Sequence, residues 1–168
     1  MSGAALANWI GTPGPRPWPK AIMLGFGLLA VPLVWWSLLY PSPFRLARLE
    51  GAPPSPALLI GGVLVLAPLI ETAVLAVLHW LVARRLGLGL PVFAIIAVIA
   101  AVLAHVPLSI ERSPVIAALF LVFSWQYSTW FEASGRAGLA FGATALTHAA
   151  YNLGSLLLSP VWAVLLKA

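Results

Sequence analysis

The chain has no cysteine among its 168 residues. That excludes disulfide cross-links and thiolate metal sites, and it leaves the redox compartment unreadable. Charge is scarce: 8% of residues are Asp, Glu, Lys or Arg, where a soluble domain carries about a quarter. A chain so poor in charge cannot cover itself for water. Long alternating polar and apolar runs are also missing, which argues against a membrane barrel. The opening MSGAALANWIGTPGPRPWPK lacks the early basic region and apolar core of a signal peptide. It reads as a cytosolic lead-in over residues 1–19, with Trp9 and Trp18 placed for the headgroups.

What is present is apolar. Hydrophobic residues make up 62% and the mean hydropathy is +1.03, so the chain is expected to be an integral membrane protein. In lipid every backbone polar group needs an internal partner, which makes the spans helices. The net charge of +5 comes mostly from arginines beside apolar runs, the pattern of membrane anchoring rather than of nucleic-acid binding.

A helical span needs about 20 apolar residues, and five stretches qualify: roughly 20–40, 57–83, 89–109, 113–131 and 137–158. They predict an all-α, polytopic bundle forming one transmembrane domain over 20–168, with no repeat. FRLARLEGAPPSP reads as a polar, Pro-rich loop after the first span. Pro107 should break the third just after His105, and PVWAVLLKA should be a short tail. With the N-terminus inside, Arg16, Lys20, Arg84, Arg85 and Arg136 lie inside, and Arg45, Arg48, Arg112 and Lys167 outside. Five against four is a weak positive-inside signal; the Arg84–Arg85 pair directly after a span favours this orientation.

With so few charges, each polar residue within a span carries information. Glu50, Glu111 and Glu132 sit in or beside loops and read as solvated or interfacial charges. Glu71, in VLVLAPLIETAVLAVLHW, lies roughly 20 Å from either end of its span at 1.5 Å per residue. A carboxylate there must pair with a cation or act as a proton acceptor near neutral pH. His105 stands near a helix end. His148 is well inside the last span, and LTHAAYNLGS puts Asn152 on the same helix face at i+4. Thr144 and Ser155 extend that polar stripe, which also fits helix–helix hydrogen bonding. His79, close to Arg84 and about 80° round the helix from Glu71, reads as an interfacial residue.

Glu71, His105, His148 and Asn152 thus come from three helices. One Glu and two His can hold a divalent metal that acidifies bound water. Alternatively, the carboxylate takes the proton from water directly while His and Asn donate to the oxyanion. Either chemistry cleaves an amide inside the membrane.

These motifs resemble the CAAX-protease and bacteriocin-processing family (CPBP, or Abi), relatives of the type II CAAX prenyl endopeptidase. That family carries EExxxR on one helix, an aromatic-xxx-His on the next and HxxxN on the last. Here PLIETAVLA, AVLAHVP and THAAYN fall at those motifs, and EASGRAGLAFGATALTH resembles the turn and small-residue helix before the last His. The resemblance covers about 65–158. It departs at Thr72, which replaces the second Glu, at Ala76, which replaces the Arg, and at Ala101, which replaces the aromatic.

The resemblance implies an intramembrane endopeptidase with Glu71 as general base on water and His105 as its partner. His148 and Asn152 would bind the oxyanion, and Thr72 would support the network by hydrogen bonding. The family is often labelled metalloprotease; Glu71, His105 and His148 could ligate zinc, but a metal-free glutamate mechanism is preferred. The lost Glu and Arg motivate an alternative, a catalytically inactive relative acting as a membrane scaffold or immunity-type binder. Haem ligation by His105 and His148 and a transporter role rank below both. The expected setting is the bacterial inner membrane, the substrate a membrane-associated peptide or protein, and no nucleic acid partner is expected.

Overall fold

A computed structural model describes residues 8–39, 59–105 and 110–165. The expected Pro-rich loop with Glu50, and Pro107, lie outside the described residues, as does the side chain of Glu111. The described residues are helical with no strand. We number the main helices α1 (Pro17–Gly27), α2 (Ala30–Leu39), α3 (from Leu59 to Arg85), α4 (Gly89–His105), α5 (Ser113–Ser134) and α6 (Ala137–Leu165). Three stretches, Pro17–Trp35, Ile60–Arg85 and Ser113–Ser134, are long and apolar enough to cross a membrane; α4 is a shorter apolar helix.

The first expected span is broken in two at Leu28–Leu29, and Pro32 explains why. In an unbroken helix the Leu28 carbonyl would accept from the N–H of residue 32, which proline lacks. It accepts from Val31 instead, at 3.0 Å, tightening the turn. The last helix behaves oppositely, continuing through Pro160 to Leu165 rather than ending near 158. A single proline removes only one ladder bond and is tolerated in apolar bundles.

Helix α3 is wound more widely at both ends, with π-helical turns at Leu59–Leu66 and His79–Arg85 around an α-helical centre, Ala67–Leu78. α5 ends at Gly135, whose φ of 66° suits the left-handed cap that returns an N–H to the Phe131 carbonyl. That short turn makes α6 an antiparallel neighbour of α5.

One apolar core lies between α3, α4 and α5, around Leu75, Phe93, Ala97, Leu119 and Phe123. A second joins α1 to α5 and α6 through Ala21, Tyr127, Trp130, Ala140 and Ala143. The outer faces are also apolar, with Met23, Ile70, Val77 and Leu103 each more than 60% exposed, as a lipid-facing surface requires.

The N-terminal lead-in docks on the bundle. The Trp130 indole donates to the Ile10 carbonyl at 2.7 Å, and Lys20 donates to the Thr12 carbonyl beneath the rings of Trp9 and Trp130. Arg84 stacks over Phe131, so Lys20 and Arg84 gather at the end of the bundle where α5 turns into α6.

Candidate functional site

Three helices bring Glu71, His105 and His148 together. Glu71 rises from the α-helical centre of α3, His105 is the last residue of α4, and His148 lies midway along α6. One carboxylate oxygen, Oε1, is 3.9 Å from His105 Nε2. The other, Oε2, is 3.8 Å from His148 Nδ1. The carboxylate therefore sits between two imidazoles, one on each oxygen. The side chains of Glu71 and His105 are 24% and 27% exposed, while that of His148 is 9% exposed. The site opens on the His105 side and is closed on the His148 side.

The His105 ring has a definite orientation. Its Nδ1 lies 2.8 Å from the Ala101 carbonyl, and a carbonyl only accepts, so Nδ1 carries the proton. In the neutral ring the Nε2 lone pair then faces a carboxylate oxygen. Two electron-rich atoms 3.9 Å apart are compatible when a proton or a polar molecule is shared between them. That is a suitable place for a water whose proton is to be removed.

The wall behind both imidazoles comes from α5. Phe123 stacks on His148 with ring centroids 4.8 Å apart and planes at 29°. Phe120 meets His148 edge-on and lies tilted against His105, both at 6.3 Å. Such aromatic contacts contribute about 0.5–1.5 kcal/mol each beyond buried area, and they fix the rings. In the sequence these phenylalanines were indistinguishable from ordinary apolar residues of a span.

Asn152 occupies the stripe below His148, but its Nδ2 donates to the Val63 carbonyl on α3 at 2.8 Å. The chain explains this bond. In the π register Val63 looks five residues ahead for its donor, to Pro68, which has no N–H. Asn152 provides the missing donor, and one further amide hydrogen remains. α6 thus meets α3 at two points, by the hydrogen bond from Asn152 to Val63 and by the approach of His148 to Glu71.

Thr72 does not join the site. It is 1% exposed, its hydroxyl has no partner among the described residues, and it gives Glu71 no hydrogen bond. Adjacent helix residues point about 100° apart, so Thr72 lies with Leu75 and His79 on the buried stripe. His79, expected at an interface, is also buried. Its Nε2 pairs with Ser128 Oγ at 3.1 Å, inside a ring of Phe93, Tyr127 and Phe131.

As a zinc site the three side chains do not fit as placed: among the described residues no group of three or more His, Asp or Glu side chains could hold a metal ion. The chain matches no protein-family model, no curated protein and no solved structure.

Proposed function

We propose that this chain is an intramembrane endopeptidase of the CPBP type, a five-span bundle of the bacterial inner membrane that hydrolyses a peptide bond of a membrane-associated peptide or protein. The observation that carries this reading is Glu71 held between His105 Nε2 and His148 Nδ1 at 3.9 and 3.8 Å. Glu71 accepts a proton from a water near His105, and the water oxygen attacks the scissile carbonyl carbon. His105, anchored through Nδ1 to Ala101, steers that water. The developing oxyanion is met by a proton on His148 and by the Asn152 amide hydrogen not bonded to Val63, the kind of donor pair that lowers such barriers by several kcal/mol. Proton return from Glu71 to the leaving amine completes the cycle.

The aromatic absent at Ala101 has a counterpart in Phe120, which lies against His105 from the neighbouring helix. One observation favours the second reading, a membrane scaffold or immunity-type binder. Asn152 already donates to the backbone of α3, as it would in a relative that keeps the fold without the chemistry.

The test is reconstitution of the purified protein in liposomes with a library of membrane-associated peptides, analysed by mass spectrometry beside His148→Ala. Cleavage that disappears in the variant supports the peptidase. Cleavage by neither protein, with partner binding unchanged by the substitution, supports the scaffold.

A further inference from the structure

Serine and threonine hydroxyls in a helix can fall back on the carbonyl four residues earlier. Thr129, Ser134 and Thr147 do so here, bonding Trp125, Trp130 and Ala143. Thr72, Ser124 and Thr144 do not. Their side-chain oxygens are buried without a hydrogen-bond partner among the described residues, and the residues are 1%, 0% and 0% exposed.

Their positions are related. The His79–Ser128 bond and the contacts of Glu71 and Phe120 with His148 set α3 and α5 running in parallel. One turn back from Ser128, Ser124 comes level with Leu75, and Thr72 lies one turn nearer Glu71. α6 runs the other way, so Thr144, one turn before His148 and three residues before the Thr147 that bonds Gln126, falls between the level of Leu75 and that of the His79–Ser128 pair. Three unpartnered hydroxyls from three packed helices therefore share a layer about two turns deep, between the His79–Ser128 pair and the Glu71 carboxylate.

We propose that this layer is a water-binding site, in which Thr72, Ser124 and Thr144 hold buried water directly behind Glu71. Hydroxyls both donate and accept, so each can supply one of the two to four polar partners that a buried water needs. Water in that layer would adjoin the carboxylate that takes a proton from water in the proposed hydrolysis. The role in supplying Glu71 rests on the peptidase reading; the water site itself does not.

The sign of a stability change tests it. An orphaned buried hydroxyl is unfavourable, so Thr144→Val or Thr72→Val, which keep the shape, should raise the melting temperature if no water is held. If water is held, the valine strands it, and the melting temperature should fall by about 2–4 °C in a chain of this size. Ser124→Ala is the third variant, and Thr147→Val, which removes a hydroxyl bonded to Gln126 and facing Ala21, is the control that falls in either case. Hydroxyl-radical footprinting of the wild-type protein by pulsed X-rays is the independent readout. Oxidation of Leu75 or Phe123, 2% and 1% exposed, on the millisecond scale is the expected result. Raised or unchanged melting temperatures, or no oxidation at these two residues, overturn the proposal. Lowered temperatures and oxidation in a protein that cleaves no peptide would retain the water site and remove the peptidase reading.

Discussion

His148 Nδ1 lies 3.8 Å from Glu71 Oε2, and the ring that carries it is stacked on Phe123. The histidine is thus aimed from behind by an aromatic face while it addresses the carboxylate in front. A ring so placed has little freedom to turn, which is what preorganised catalysis requires.

Phe123→Leu keeps an apolar side chain of nearly the same reach but removes the stacked face. The loss of about 0.5–1.5 kcal/mol of ring–ring attraction, felt at the reacting geometry, corresponds to a fall in turnover of up to about tenfold. Kinetics of peptide cleavage should show the fall mainly in kcat. A change confined to KM would mean that Phe123 shapes substrate binding and does not orient His148.

Asn152→Ala should destabilise the bundle by about 1–2 kcal/mol, because the Val63 carbonyl loses its donor. The effect should shrink when Pro68 is also replaced by alanine, since residue 68 then has an N–H to offer Val63. A double-mutant cycle on detergent-solubilised protein measures that coupling. Equal losses in both backgrounds would mean that Pro68 is not the reason Asn152 is needed.

Gly25 lies at a close approach of α1 to α6. A Cβ there would fall on the Thr147 carbonyl oxygen and crowd the Ala150 Cβ. Gly25→Ala should destabilise by about 1–3 kcal/mol through overpacking. Gly27→Ala, where nothing lies within 4 Å of the added carbon, should be neutral or slightly stabilising. Thermal unfolding of the two variants side by side gives the comparison; similar melting temperatures would contradict the close packing.

Much of this architecture is visible in the amino-acid sequence because lipid imposes simple rules. Apolar runs of sufficient length mark Ile60–Arg85 and Ser113–Ser134, and scarce polar residues inside such runs mark Glu71 and His148. The i, i+4 spacing of His148 and Asn152 puts them on one face, as observed. What the pattern could not supply depends on neighbours distant in the chain. The break at Leu28–Leu29 follows from the ladder bond that Pro32 removes, a detail invisible to hydropathy. His79 reads as interfacial by its distance from Arg84, yet Ser128 and three aromatic rings draw it inward. Asn152 reads as an oxyanion donor, but no linear motif shows that its first donor bond goes to Val63. Phe120 and Phe123 had no signal at all, because only their contacts distinguish them from any other phenylalanine in a span.

We propose that the Glu71 carboxylate activates water for peptide hydrolysis, and the decisive variant is Glu71→Gln. Glutamine keeps the size and loses the basicity, so the variant should fold with a melting temperature close to that of the wild-type protein. Removal of a general base costs about 10²–10⁴ in rate, and cleavage of membrane-associated peptides in liposomes should fall by at least the lower figure. A folded Glu71→Gln protein that cleaves at the wild-type rate would contradict the account.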